Sequence, residues 1–241
     1  MPFQKKIIMK YKNKNKKTVF VYRNVRMHFI QENENFSISK YCILEYIRKR
    51  RKEDNMIFEQ NQNKIAEYFS MTSPTISYHI MEMIAKKILS KNEEGIRIEK
   101  KYDWSFVDEN RYNGSFILLD FDIYKELKIA YKMTINQFAI LSLIYSIKIT
   151  RSRELTKKSI RRLSGLDNNA IKNAIIKFKK IGLLENGENL RIAENPEFST
   201  LYESFRELFS ISNIDSIKRE YKEPLDLRNK VICNQYENDT L

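Results

Sequence analysis

Apolar positions along the chain change their period several times, and each change marks an element. Thr18 to Gln31 is rich in β-branched and aromatic residues and reads as extended chain. Ile43, Leu44 and Ile47 then recur at helical spacing and predict a helix from Ser39 to about Lys52. Met56-Ile57-Phe58 reads as a short strand. Asn61 and Thr72 are capping residues ahead of two amphipathic segments, the first running through Phe69 and the second through Lys87. From Ile88 to Lys100 the residues alternate around Asn92-Glu93-Glu94-Gly95, the pattern of a β-hairpin.

After a stretch that reads as a linker, Asp103 to Gly114, with Trp104 expected to dock it on a neighbour, the order recurs. Phe116 to Phe121 reads as a strand. Thr134-Ile135-Asn136-Gln137 is a capping box opening a helix to Ile149, with Phe138, Leu141 and Ile144 on one face. Thr156 and Asp167 open the next two helices; the second runs to Ile181, with Gly182 at the left-handed C-terminal position. Leu184 to Ile192 closes around Asn186-Gly187, a hairpin signal. Beyond Pro196, Phe198, Leu201, Phe205 and Leu208 lie at helical spacing. They predict a helix packed on the second unit, the alternative being a short seam for a homodimer.

The two halves repeat one pattern of elements at a fixed offset. Ile65-Ala66-Glu67-Tyr68-Phe69-Ser70-Met71-Thr72-Ser73-Pro74-Thr75-Ile76 aligns with Ile160-Arg161-Arg162-Leu163-Ser164-Gly165-Leu166-Asp167-Asn168-Asn169-Ala170-Ile171, and 171 − 76 = 95. Each is a short helix, a tight turn, a capping residue and a second helix. The segments Ile65 to Leu89 and Ile160 to Leu184 resemble the helix-turn-helix of bacterial winged-helix regulators. The likeness is carried by Leu163-Ser164-Gly165-Leu166-Asp167 and Lys179-Lys180-Ile181-Gly182-Leu183-Leu184. Unit 1 departs at Ser70 and Lys87, which stand where unit 2 has Gly165 and Gly182. A distorted turn, or a less strict role in DNA binding, is therefore expected there. Two such units in tandem are also similar to plasmid replication initiators, which bind iterated origin sequences with both domains.

The fold expected is mainly α with small β-hairpins (α+β), two winged-helix domains in tandem. Residues 1–17 form a basic arm, 18–100 domain 1, 101–114 a linker, 115–195 domain 2, and 196–241 a C-terminal helix with a polar tail beyond Glu220.

Composition narrows the function. With 241 residues the chain has room for two domains, each with its own core, and 42% apolar with 31% charged residues describe a soluble globular protein. No run reaches bilayer length and the amino terminus lacks a secretory signal, so a cytoplasmic protein without a membrane partner is expected. Only five Gly and four Pro favour helix with short connections. Cys42 and Cys233 are too few for a disulfide framework. Cys42 is expected inside a helix and Cys233 in the tail, while His28 and His79 complete no metal set. No phosphate-binding glycine loop or nucleophile constellation occurs, so neither an enzyme nor a cofactor is expected.

The net charge of +13 favours a polyanion, and its distribution points to DNA. Between Lys157 and Lys180 eight basic residues face one acid, Asp167. Asn168, Asn169, Lys172, Asn173 and Lys177 are expected outward on the reading helix of unit 2, with Lys157, Lys158 and Arg161 on the helix before it. Asparagine bonds an adenine edge in bidentate fashion, and lysine reaches guanine acceptors or phosphate. In unit 1 the outward residues are expected to be Ser73, Thr75, Ser77 and Tyr78, whose hydroxyls suit phosphates or bases, with His79 borderline. Arg50 and Arg51, within Arg48-Lys49-Arg50-Arg51-Lys52, are read either as phosphate contacts or as cations at a helix C-terminus. The arm from Met1 to Lys17, with seven lysines and no acid, either tracks phosphates or has no specific role. The expected function is a sequence-specific double-stranded DNA-binding transcription regulator. The alternatives are a replication initiator of a plasmid or other mobile element, or an adaptor with one protein-binding unit. No effector ligand or target sequence follows from the residues.

Overall fold

The computed structural model describes residues 17–22, 36–51, 57–58, 61–102, 116–151, 156–187 and 190–210. The basic arm up to Lys16, the 103–114 stretch with Trp104, His28, Cys233 and the polar tail lie outside the described residues. The rest is mainly helical with small antiparallel sheets, an α+β arrangement.

Unit 1 contains β1 (Thr18–Tyr22), α1 (Ile38–Arg50), β2 (Ile57–Phe58), α2 (Gln62–Tyr68), α3 (Ser73–Ala85), β3 (Leu89–Lys91) and β4 (Ile96–Ile98). Unit 2 contains β5 (Phe116–Asp120), α4 (Phe121–Tyr131), α5 (Ile135–Arg151), α6 (Lys157–Ser164) and α7 (Asn168–Lys180), then a bridge between Leu184 and Ile192 and finally α8 (Ser199–Leu208). Strands β2, β4 and β3 form one antiparallel sheet in that order, β4 in the middle. The hairpin turns at Asn92, whose Oδ1 accepts from the backbone N–H groups of Glu94 and Gly95.

The capping residues act as their types dictate. Asn61, Thr72, Thr156 and Asp167 each accept a backbone N–H in the first turn of the helix that follows. Thr134 and Gln137 close a reciprocal capping box, with Thr134 N–H donating to Gln137 Oε1 at 3.0 Å and Gln137 N–H donating to Thr134 Oγ1 at 3.3 Å. Asp120 ends β5 one residue before Phe121 because its carboxylate caps α4, accepting from Asp122 and Ile123.

The repeat extends to individual backbone bonds. Helices α3 and α7 begin and end 95 residues apart (168 − 73 and 180 − 85). Ile88 N–H donates to Met83 C=O just as Leu183 N–H donates to Phe178 C=O, both at 2.8 Å. The turn of unit 1 is not distorted: Ser70 (φ 51°) and Lys87 (φ 53°) take the left-handed conformation that Gly165 (φ 62°) and Gly182 (φ 79°) hold in unit 2.

The two units are joined rather than strung apart. β1 and β5 pair antiparallel with Phe20 opposite Leu118, so equivalent strands meet about a local two-fold axis through that pair. Helices α1 and α5 touch each other and are buried on nearly every side. An aromatic chain crosses the junction from Phe58 through Tyr46, Phe69, Phe121, Tyr124 and Phe138 to Phe205, with successive ring centroids 4.6 to 6.3 Å apart. Lys128 on α4 donates to the Ser70 carbonyl across the same junction. In place of two separate cores, one hydrophobic core runs through both units.

Helix α8 closes that core. Leu201, Phe205 and Leu208 are buried, and Phe205 stacks on Tyr145 of α5 at 4.3 Å. The stripe of Phe198, Leu201, Phe205 and Leu208 packs within the chain, its side chains buried there. Cys42 lies buried in α1 as a small apolar residue.

Candidate nucleic-acid interface

Helix α7 buries Ile171, Ala174, Ile175 and Phe178, and those four positions fix which side faces solvent. A stripe of Asn169, Asn173, Ile176 and Lys180 is left outward at intervals of four, three and four residues, about 16 Å long at helical rise. Asn168 and Lys172 flank it, also exposed. On α6 the outward side chains are Lys157, Lys158, Arg161 and Arg162. The single acid of the region, Asp167, uses Oδ1 to cap α7, accepting from Ala170 N–H at 2.8 Å. Asn168, Asn169, Lys172, Asn173, Lys157, Lys158 and Arg161 are each exposed on these two packed helices, and Asp167 is the one acid in the sequence between Lys157 and Lys180.

Lys177 departs from the outward placement expected of it. It sits at the border of the buried stripe and turns back, its Nζ donating to the Lys132 carbonyl at 2.8 Å and to Gln137 Oε1 at 3.0 Å. Desolvation there lowers its pKa below the ordinary lysine value. The equivalent position in unit 1 is Glu82, which accepts from Lys40, and Lys40 and Gln137 are each the third residue of their helix. The same tie, from α3 to α1 and from α7 to α5, is thus made by an ion pair in one unit and an amide in the other. Lys40 holds the Glu82 carboxyl below the usual carboxylate range, chiefly through that hydrogen bond.

In unit 1, α3 buries Ile76, Ile80 and Met83 and presents Pro74, Tyr78, Met81 and Ala85 at the positions equivalent to the α7 stripe. This stripe is uncharged, and Tyr78 and Met81 are 66% and 64% exposed. Thr75 is exposed and shares a hydrogen bond with the capping Thr72 at 2.8 Å. Ser73 and Ser77 are not free hydroxyls: Ser73 donates to Asn63 Oδ1 and Ser77 to Gln62 Oε1, both at 2.6 Å, which clamps α2 onto α3. With their oxygens occupied, the Gln62 and Asn63 amides have N–H donors left to offer. His79 is half-buried, and burial lowers its pKa below the ordinary histidine value.

The basic run ending α1 is split by burial. Arg48 lies inside, paired with Glu45 at 2.6 Å, and Arg51 is buried, so Arg51 is not the surface phosphate contact its sequence position suggested. The turn of about 100° per residue carries Arg48 to the inner face of α1, whereas Arg51 is the extended C-cap, its backbone N–H donating to the Ile47 carbonyl. Lys49 and Arg50 remain exposed, with the Arg50 guanidinium 5.2 Å from the Tyr46 ring centroid.

Residues that pattern reading passed over are Gln62, Asn63, Met81, Arg162, Ile176 and Lys180. Laying one unit on the other at the 95-residue offset finds the stripe members, because equivalent positions share exposure even where their chemistry differs. Among the described residues no group of three His, Cys, Asp or Glu side chains is placed to hold a metal ion, and no helix is long and apolar enough to cross a membrane. Comparison with models of known protein families, with curated proteins and with solved structures finds no match for this chain.

Proposed function

We propose that the chain is a sequence-specific double-stranded DNA-binding protein of the cytoplasm, built from two winged-helix domains whose helices α3 and α7 enter neighbouring major grooves. The observation that carries this reading is the α6–α7 surface. Six exposed cations, Lys157, Lys158, Arg161, Arg162, Lys172 and Lys180, stand on the same two packed helices as exposed Asn168, Asn169 and Asn173. Like charges on one surface repel, and a phosphate backbone is the partner that turns that repulsion into attraction. The amides between them match adenine edges. No catalytic step is assigned.

The local two-fold at β1 and β5 supports reading of two half-elements in inverted orientation by one chain. Because the α3 and α7 stripes differ in chemistry, the half-elements differ too, and the whole site has a direction. Simple occupancy of such a site serves a transcription regulator. A replication initiator is the second reading, favoured by the same geometry: a row of directional repeats would be filled by single chains all pointing one way. An adaptor role for unit 1 rests on the uncharged α3 stripe.

Selection of bound sequences from a random duplex library at near-physiological salt tests the proposal. Two spaced, inverted and unlike half-elements are expected. Failure to enrich any sequence overturns sequence-specific binding, and a single enriched element removes α3 from the DNA. Footprinting on tandem copies of the selected site then separates the roles, since strand opening beside the repeats belongs to an initiator and plain protection to a regulator.

A further inference from the structure

Large apolar side chains that stay exposed are few among the described residues, and two of them hold the same place. Met81 on α3 and Ile176 on α7 are 64% and 54% exposed, and 176 − 81 = 95. A single exposed apolar residue is ordinary. What carries weight is recurrence at the third position of both outward stripes, although every other member of those stripes has changed: Pro74 against Asn169, Tyr78 against Asn173, Ala85 against Lys180. Neither side chain is recruited by the core, because Ile80 and Met83, and Ile175 and Phe178, already fill the inward face.

The surroundings state what such a side chain meets. Ile176 stands between Lys172, Asn173 and Lys180, all exposed. An isolated apolar group in a basic, hydrogen-bonding stripe suits a target that is anionic, polar and dotted with small apolar groups. An apolar protein surface would strand the three polar neighbours without partners. The floor of the major groove fits, since its one apolar feature is the C5-methyl of thymine. In unit 1 Lys64 on α2 and Lys87 in the turn after α3 are exposed, and Tyr78, one turn before Met81, offers a hydroxyl to a base or phosphate.

We propose that Met81 and Ile176 are specificity-determining residues that each bury a thymine methyl, placing one contacted thymine at the equivalent position of each half-element. The inference rests on the DNA-binding reading above. It adds to that reading a chemical group on the DNA and the side chain that meets it.

The test uses the full chain and the duplex recovered by selection, with each thymine replaced in turn by deoxyuridine, which removes the methyl and nothing else. One position in each half-element is expected to lose about fourfold in affinity, the worth of one buried methyl. Ile176→Ala should abolish the loss in one half-element only, and Met81→Ala in the other only, since removing either member of a contact makes removal of the second neutral. Both side chains are exposed, and unchanged thermal unfolding of each variant checks that the fold is intact. Indifference to every deoxyuridine, or sensitivities that survive both alanine variants, overturns the inference while leaving specific binding in place. Sensitivity governed by Ile176 alone overturns it for α3 and leaves that stripe to a protein partner. A failure to select any duplex removes the DNA reading itself, and the inference with it.

Discussion

Ser70 and Lys87 hold left-handed backbone at φ 51° and 53° without being glycine. A Cβ in that region crowds the following carbonyl, at a cost on the order of 1 kcal/mol per residue. Unit 1 carries that cost twice where unit 2 carries glycine. Lys87 is exposed, so its replacement should touch little besides the backbone. Lys87→Gly is expected to raise the unfolding free energy by about 0.5 to 1 kcal/mol, read as a higher urea midpoint with an unchanged slope. The reverse change, Gly182→Ala, should cost more than the φ penalty alone, because its Cβ would meet Asn195 Nδ2 at 3.2 Å. Asn195 in turn caps the turn starting at Pro196. A lower midpoint for Lys87→Gly would mean that the Lys87 side chain has a role its exposure hides. At this scale the caps and the glycine turns were legible, because Asn61, Thr72, Thr156, Asp167 and Gly182 each have one local use. The left-handed Ser70 and Lys87 were not, since their conformation is imposed by packing of the helices on either side rather than by their own preference.

Helical periodicity assigns a residue to a face but leaves the border ambiguous, and Lys177 sits on that border. Its ammonium faces two acceptors, the Lys132 carbonyl and Gln137 Oε1, while that of Lys172 points into solvent. The two lysines should therefore separate in a pair of assays. Lys172→Ala should leave stability within about 0.5 kcal/mol and lower the slope of log affinity against log salt by about one. Lys177→Ala should cost about 1 kcal/mol of stability, a charge-assisted bond discounted for partial exposure, and leave the salt slope nearly unchanged. Equal salt slopes for the two variants would place Lys177 on the DNA and undo the tie to α5. The equivalence with Lys40–Glu82 explains why charge alone misled: one structural position is filled by an acid in unit 1 and a base in unit 2. Arg51 lies beyond helical periodicity altogether, as the extended C-cap of α1, and its burial was not readable from spacing. By contrast the stripe of Asn169, Asn173 and Lys180 was readable in part, because Ile171, Ala174, Ile175 and Phe178 lie deep within the apolar face.

The repeat in the sequence predicts two units and says nothing of how they meet. Their junction is built from β1 against β5 and from aromatic residues that either unit would have used for a core of its own. Phe121 is the centre of that junction, its ring 4.6 Å from Phe69 of unit 1 and 5.9 Å from Tyr124 of unit 2. With a shared core, partial unfolding of one unit exposes apolar surface of the other, so both should unfold in a single cooperative transition, coincident by far-ultraviolet circular dichroism and tyrosine fluorescence. Phe121→Ala should lower stability by about 3 to 5 kcal/mol. Under native conditions it should also weaken binding to a two-element duplex more than binding to a single half-element, because a looser junction lowers the effective concentration of the second helix at its groove. Leu208→Ala supplies the comparison: it removes an equally buried side chain from α8, away from the junction, and should cost stability without changing the ratio of two-element to one-element affinity. Two separate transitions in the unaltered protein, or equal ratios for the two variants, would mean that the units work as tethered modules despite their contact. A single transition with a ratio shifted only by Phe121→Ala makes the junction itself the device that sets the spacing of the reading helices, and with it the spacing of the half-elements.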